Sequence, residues 1–182
     1  MKKLVLFLLL MASAVIGRAQ GTQDLLPVGT VAPDFTITNS DNGKKILSLS
    51  DLRAKKTAAG KVKHGTWTVL DFWASWCPDC RRDMPIVKQI QEKYGKRIKL
   101  IGVSFDTDKE KMTKYLDANK YTWMQYSEFK KWKETKISKE YRISWIPTSY
   151  LIDPDGKVAF ATVKTEEMLQ KLDSLDAAGK LK

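Results

Sequence analysis

Two cysteines stand where an apolar strand is predicted to give way to a helix, and this junction narrows the choice of fold more than any other feature. Thr68 to Trp73 (TVLDFW) is a short apolar run with one acid, and its valine and aromatic residues favour a buried strand. Pro78 to Tyr94 has apolar residues at helical spacing, and Gly95 is expected to end that helix. Cys77 and Cys80 lie between the two patterns, so the sequence predicts a thiol pair at the first turn of a helix.

Cys77 and Cys80 are the only cysteines among the 182 residues. A disulfide between them closes a loop of about four residues, which the chain-entropy treatment values at roughly 2 kcal/mol, against about 3 for a fifteen-residue loop. The pair is therefore a poor structural staple, whereas a redox pair must open as readily as it closes. A structural zinc site is disfavoured because it needs a full set of Cys or His ligands, and His64 is the only histidine. We expect neither a metal nor a cofactor.

The two sulfurs are expected to have different roles. Unpaired N–H groups and the positive end of the helix dipole stabilise a thiolate at a helix start, which lowers its pKa below the ordinary value of about 8.5. Cys77, at the opening, is predicted to be the exposed nucleophile, and Cys80, one turn inside, is predicted to be shielded. Pro78 suits the first helical position because that position needs no N–H donor.

A base is needed to complete a thiol–disulfide exchange, and Asp71 is the candidate. In the expected mechanism the Cys77 thiolate attacks a substrate disulfide, and Cys80 then loses its proton and attacks Cys77 to release the reduced product. Asp71 stands in the apolar strand, six residues before Cys77. Burial raises the pKa of a carboxyl group towards neutrality, which suits proton exchange. An exposed acid on an edge strand is the alternative interpretation.

The residues around the second cysteine indicate the direction of the reaction. The Asp79 carboxylate disfavours a neighbouring thiolate, which makes the disulfide more stable and the pair more reducing. Arg81 and Arg82 act in the opposite direction. We therefore predict a reduction potential nearer to those of the reductants than to those of the strong oxidants in this chemistry.

The order of the predicted elements is typical of an α/β fold with a mixed central sheet covered by helices. After Thr66 the order is β-α-β-α-(α)-β-β-α, in which a helix joins two parallel strands and a hairpin precedes a final helix. Before it, Asn42-Gly43 indicates a β-hairpin, and Arg53 to Thr66 is expected to be an exposed basic insertion. The later elements are a strand at Ile98 to Phe105, a helix at Asp108 to Asn119, a broken helical stretch at Glu128 to Tyr141, strands at Thr148 to Asp153 and Val158 to Val163, and a helix at Thr165 to Ala178.

Residues 1–19 are predicted to be a cleavable signal peptide. Lys2 and Lys3 precede an apolar run from Leu4 to Met11, and Gly17 and Ala19 supply small residues where a signal peptidase cuts. The protein is then periplasmic or otherwise exported. An uncleaved membrane anchor is the alternative, although the run is short for a spanning helix of ~20 residues.

The chain is basic, with a formal net charge of +11. Its lysines are scattered rather than gathered on one helix, and export argues against a nucleic-acid partner. We therefore expect a solvated basic surface and no binding of nucleic acid.

Three segments resemble the thioredoxin superfamily. Asp71 to Cys80 (DFWASWCPDC) is similar to its active-site stretch, Pro85 matches its helix-kinking proline, and Ile146-Pro147-Thr148 is similar to its cis-proline loop. The resemblance implies a thioredoxin-like fold in which the Ile146–Pro147 bond is cis and packs beside the cysteines.

We expect a substrate groove around the cysteines; core or ordinary surface packing of its two tryptophans is the alternative interpretation. Its expected substrate-binding residues are Trp76, Pro78, Ile146 and Pro147, with Trp145 as a second edge. Backbone pairing of a substrate strand at Ile146 is the expected mode of approach.

The N-terminal part is similar to the TlpA/ResA-like group of exported thioredoxin-like reductases. The similarity rests on Ala32-Pro33-Asp34-Phe35, on the Asn42-Gly43 turn and on Leu49 to Leu52. It extends from about residue 27 to 178, which is the expected thioredoxin-like domain with its N-terminal β-hairpin extension. The group implies protein disulfide substrates and a membrane thiol donor. Its members often carry a buried glutamate near the site, to which no residue is assigned here.

The leading interpretation is an exported oxidoreductase that reduces protein disulfides, and three alternatives differ from it. A disulfide oxidase or isomerase uses the same cysteines at a higher potential. A non-catalytic binding module keeps an inert disulfide and recognises partners through Trp76, Trp145 and the cis-proline region. A thiol peroxidase is disfavoured because Ala74 occupies the place where such enzymes need Thr or Ser.

Overall fold

The computed structural model describes residues 24–39, 42–56, 58 and 60–181. The predicted signal peptide, residues 1–19, and the tip of the predicted N-terminal hairpin, residues 40 and 41, lie outside the described residues. Within the described part, no helix combines the length and the apolar character needed to cross a membrane.

Nine strands and four helices make up the described fold. The strands are β1 (Thr36–Thr38), β2 (Lys45–Ser48), β3 (Lys55–Lys56), β4 (Val62–Lys63), β5 (Thr68–Trp73), β6 (Lys99–Ser104), β7 (Met124–Tyr126), β8 (Thr148–Ile152) and β9 (Val158–Thr162). The helices are α1 (Pro78–Tyr94), α2 (Lys109–Ala118), α3 (Lys136–Glu140) and α4 (Thr165–Ala177), with single 3₁₀ turns at Leu49–Leu52 and Trp132–Glu134.

Five of the strands form the central mixed sheet, in the order β7-β6-β5-β8-β9. β5, β6 and β7 are parallel, whereas β8 and β9 are antiparallel to their neighbours. The predicted mixed sheet flanked by helices is confirmed, and β7 is an edge strand that the sequence analysis missed. Because parallel strands end at the same edge, the loops that follow β5, β6 and β7 gather on one side of the molecule.

β5 is the centre of the core. All six of its residues are buried, and Leu70 and Phe72 have no exposed surface. It is bounded by β6 on one side and β8 on the other, which explains why its sequence is nearly continuous in apolar residues rather than alternating. This strand leads directly to the cysteines and gives them a rigid support.

Two small antiparallel pairs are added before the central sheet. β1 and β2 form the predicted hairpin, with Ile37 opposite Leu47. The Arg53–Thr66 segment, predicted only as an exposed insertion, contains the exposed ribbon β3–β4. Its end is held against the β8–β9 turn, where a side chain at Gly65 would lie 1.9 Å from the carbonyl oxygen of Pro154.

Candidate active site

Cys77 is the N-cap residue of α1. Its backbone is extended, with φ −84° and ψ 114°, and its Sγ accepts a hydrogen bond from the Cys80 N–H at 3.2 Å. Pro78 occupies the start of the helix, where no N–H donor is needed. The sulfur therefore lies at the opening of the helix, as the sequence analysis expected.

The prediction that Cys77 is exposed is wrong. Cys77 is 5% exposed and Cys80 is 2% exposed, so both are buried, and both are free thiols. The cover comes from the loop before β8, because the Cys77 thiol donates a hydrogen bond to the carbonyl oxygen of Ile146 at 3.8 Å. The Ile146–Pro147 bond is cis, as the resemblance implies.

Two exposed indoles border this covered thiol. Trp76 is 55% exposed and directly precedes Cys77, while Trp145 is 54% exposed and directly precedes Ile146. The other four tryptophans are buried or half-buried. Of the predicted groove residues, Pro78 is exposed, whereas Ile146 and Pro147 are buried. The accessible apolar surface beside the cysteines is therefore supplied mainly by the two tryptophans.

Beneath the cysteines, Asp71 is buried in the middle of β5. It is 2% exposed, and among the described residues it accepts one hydrogen bond, from the Ser149 hydroxyl at 3.2 Å. Burial raises the pKa of Asp71 to about 7; the Ser149 hydrogen bond lowers it, and the negative charge of Asp83 raises it. The predicted burial is confirmed, and the edge-strand alternative is wrong because β5 is the central strand.

Cys80 is held as a thiol. Burial, reinforced by the hydrogen bond to Cys77, raises the pKa of the Cys80 thiol well above its ordinary value. Cys80 therefore needs a proton acceptor before it can attack a disulfide.

Two further buried carboxylates lie near the cysteines, and neither was predicted from the sequence. Asp83 is 7% exposed and accepts a hydrogen bond from the Thr165 hydroxyl at 3.0 Å. Asp106, which is 3% exposed, accepts from both the N–H and the hydroxyl of Ser75. Asp83 could have been found from the sequence because it lies one helical turn after Cys80. Asp106 could have been found because it follows a predicted buried strand.

Comparison with known proteins identifies this arrangement. A sequence model of the family described as Thioredoxin-like matches residues 65–158. The chain belongs to the thioredoxin-like family. It is 31% identical over 152 residues to the thioredoxin-like protein YneN of Bacillus subtilis, covering 80% of this chain and 78% of the relative.

Other relatives specify the chemistry of this thioredoxin-like protein. It is 30% identical over 151 residues to the thiol-disulfide oxidoreductase ResA of Bacillus anthracis, covering 81% of this chain and 78% of ResA. The solved structure of a thiol-disulfide oxidoreductase from Bacteroides fragilis superposes with a TM-score of 0.64 at 28% identity, covering 80% of this chain and 99% of that structure. The chain is thus a thiol-disulfide oxidoreductase of thioredoxin-like fold, related to ResA.

In this oxidoreductase, Asp79 is paired with a cation. Its carboxylate accepts a hydrogen bond from Arg82 at 2.8 Å; the Arg82 side chain is exposed and that of Asp79 is half-buried. The guanidinium of Arg81 lies over the Tyr115 ring instead, 5.4 Å from its centroid. The direction in which these charges move the reduction potential stays a prediction.

The described residues contain no group of three or more His, Cys, Asp or Glu side chains arranged to hold a metal ion. The chemistry that this part of the chain offers is that of two thiols with buried carboxylates beneath them.

Proposed function

We propose that this oxidoreductase is exported and that it reduces disulfides of proteins through Cys77 and Cys80. One observation carries the proposal: the Cys77 sulfur sits at the helix N-cap, where it accepts the Cys80 N–H at 3.2 Å. Such a position stabilises a thiolate without a metal or an added base. Cys77 is therefore the attacking group.

In the first step, the Cys77 thiolate attacks one sulfur of the substrate disulfide. A new S–S bond joins Cys77 to the substrate, the substrate S–S bond breaks, and the departing sulfur leaves as a thiolate that takes a proton from solvent. The Cys77 thiol contacts the Ile146 carbonyl oxygen, so a substrate strand that pairs with the Ile146 backbone would bring its disulfide to the sulfur. Trp76 and Trp145 offer it an apolar border there.

In the second step, Cys80 resolves the mixed disulfide. Asp71, with a pKa of about 7, takes the Cys80 proton, either directly or through a water molecule. The Cys80 thiolate attacks the Cys77 sulfur, the Cys77–Cys80 bond forms and the bond to the substrate breaks. The substrate sulfur leaves as a thiolate that takes a proton from Asp71 or solvent, and two electrons have passed from enzyme to substrate. Asp71 suits this role because a carboxyl group that titrates near neutrality both takes and returns a proton at working pH.

The oxidised enzyme then requires an external dithiol. We propose that a membrane thiol protein supplies these two electrons by the reverse exchange. Export is supported by the pattern of residues 1–19, with its two lysines, apolar run and small residues before the cut.

A reducing direction is supported by Asp79, whose carboxylate lies in the first turn of α1 between the cysteines. Redox titration against glutathione tests it. A reduction potential above about −150 mV would contradict a reductase and favour the oxidase or isomerase alternative.

The activity itself is tested by insulin reduction with dithiothreitol as electron source. The wild-type enzyme is expected to accelerate precipitation of the insulin B chain, and Cys77→Ser is expected to abolish the acceleration. Cys80→Ser is expected to stop turnover and, when the reduced variant is mixed with insulin in the absence of dithiothreitol, to accumulate a mixed disulfide on Cys77. A wild-type rate equal to that of Cys77→Ser would instead favour a binding module with an inert disulfide.

A further inference from the structure

We propose that Asp106 is a positioning residue of this active site. Its buried carboxylate fixes the turn that delivers Cys77 to the helix and ties that turn to the loops after β6 and β7. The proposal deepens the proposed function and rests on Cys77 as the attacking thiol. The proposed mechanism does not otherwise use Asp106.

Three donors converge on the Asp106 side chain. Ser75 donates its N–H at 2.9 Å and its hydroxyl at 2.6 Å, and the Ser104 hydroxyl donates at 2.7 Å. The Asp106 N–H in turn donates to the Ser104 hydroxyl at 3.0 Å. A carboxylate with this many short hydrogen bonds in a buried place has one position, because leaving any donor unpaired there is costly.

The residue held in this way lies inside the cysteine turn. The Cys77 N–H donates to the Ala74 carbonyl oxygen at 3.2 Å, which closes a turn with Ser75 as its second residue. The two hydrogen bonds from Ser75 to Asp106 therefore fix the path of the chain between the end of β5 and the first residue of α1. That path decides where the Cys77 sulfur stands relative to the Cys80 N–H.

The support for Asp106 comes from the adjacent strand. Trp73 and Ser104, the last residues of β5 and β6, are register partners, and the Phe105 N–H donates to the Trp73 carbonyl oxygen at 2.9 Å. Asp106 is thus attached to the end of one rigid strand while it holds the loop that follows the other.

The network also extends towards the cis-proline side of the site. The Ser127 hydroxyl, just after β7, donates to the Asp106 carbonyl oxygen at 3.3 Å. The next residue, Glu128, accepts the N–H groups of Lys136 and Ile137 at the start of α3, at 3.1 and 3.0 Å. Asp106 thus also contacts the segment that leads through α3 towards Ile146, which covers the Cys77 thiol.

The test measures the rate at which iodoacetamide modifies Cys77 in the purified, reduced enzyme near pH 7. Asp106→Ala is expected to slow this rate about tenfold, because a sulfur displaced from the helix opening loses the N–H donor that stabilises its thiolate. Ser75→Ala removes one of the three donors and is expected to slow it about threefold. Ser75→Thr keeps the hydroxyl and is expected to restore the rate to within about twofold of wild type.

A double-mutant cycle separates positioning from general loss of stability. If Asp106 acts through Ser75, adding Ser75→Ala to Asp106→Ala slows alkylation no further. Asp108→Ala is the matched control, since Asp108 caps α2 through the Lys111 N–H at 3.1 Å and lies two residues from Asp106. That variant is expected to lower the melting temperature while leaving the alkylation rate unchanged.

An unchanged or faster alkylation rate in a folded Asp106→Ala variant would overturn the proposal, and so would additive effects in the double variant. Should Asp106→Ala fail to fold, Asp106→Asn and Ser75→Ala decide the question in the same way. Alkylation needs no turnover. A wild-type enzyme with a reactive Cys77 but no insulin reduction would therefore count against the proposed function and leave the role of Asp106 standing.

Discussion

Two regions below the cysteines each contain a buried aspartate, and the two aspartates are supported very differently. Asp71, in the middle of β5, accepts one hydrogen bond from the described residues, donated by the Ser149 hydroxyl at 3.2 Å. Asp106, at the end of β6, accepts three, all between 2.6 and 2.9 Å. Their exposed fractions are 2% and 3%, so burial alone does not distinguish them.

The difference in hydrogen bonding matches the role proposed for each aspartate. A carboxylate that transfers protons must exist in both forms near neutral pH, and sparse hydrogen bonding in a buried place raises its pKa to that range. A group that holds a loop must keep one position, which several short hydrogen bonds provide. The comparison therefore assigns proton transfer to the Asp71 region and geometry to the Asp106 region.

Replacing the proton acceptor is expected to have the largest effect. Asp71→Asn should lower insulin-reduction turnover at pH 7 by about a hundredfold, because water is a poorer acceptor for the Cys80 proton. Cys77 alkylation should change little, since that step does not use Asp71. The same substitution at the exposed Asp155 is the control and should change neither rate. Equal losses in turnover and in alkylation would mean that Asp71 also acts on geometry.

The second prediction concerns the pH dependence of stability. Asp71 has a pKa of about 7 in the fold, against 3.8 in the unfolded chain. Between these values the unfolded chain has released a proton that the folded protein keeps, so stability is complete below the lower value and declines as pH rises towards the upper one. Wild type should lose up to about 3 kcal/mol relative to Asp71→Asn between pH 5 and pH 8.

Urea denaturation of both proteins at several pH values measures this difference, because the other titrating groups cancel between them. A constant difference across that pH range would contradict the raised pKa of Asp71.

The smallest effect is expected from removing single hydroxyl groups. Ser149→Ala takes away the hydrogen bond that lowers the pKa of Asp71, so that pKa should rise and turnover at pH 7 should fall about twofold. Ser104→Ala removes a donor from Asp106 instead, so the pH at the midpoint of the turnover profile should not change. Equal displacement of the profile in both variants would erase the distinction between the two regions.

Local sequence patterns were sufficient to predict much of the fold and part of the site. The strand–cysteine–helix junction, the buried Asp71 and the order of the later elements followed from periodicity, residue type and spacing in segments that are long or strongly apolar. Strand β7 was not predicted because its three residues, Met124–Tyr126, are all half-buried and so show no alternation of buried and exposed side chains. Its place is set by pairing with β6.

The remaining errors concern contacts between segments far apart in the chain. Cys77 was predicted to be exposed because a helix start is normally open, and its cover comes from Ile146, 69 residues later. Asp106 meets Ser75 across 31 residues. Such contacts depend on which strands become neighbours, and no local pattern around either residue encodes them.

The most direct test of the account is to modify the fully reduced enzyme with a limiting amount of iodoacetamide at pH 7 and to locate the label by mass spectrometry. The helix N-cap at Cys77 and the raised pKa of Cys80 predict that the label lies on Cys77 almost alone. Equal labelling of the two cysteines, or preferential labelling of Cys80, would contradict the assignment of the attacking thiol.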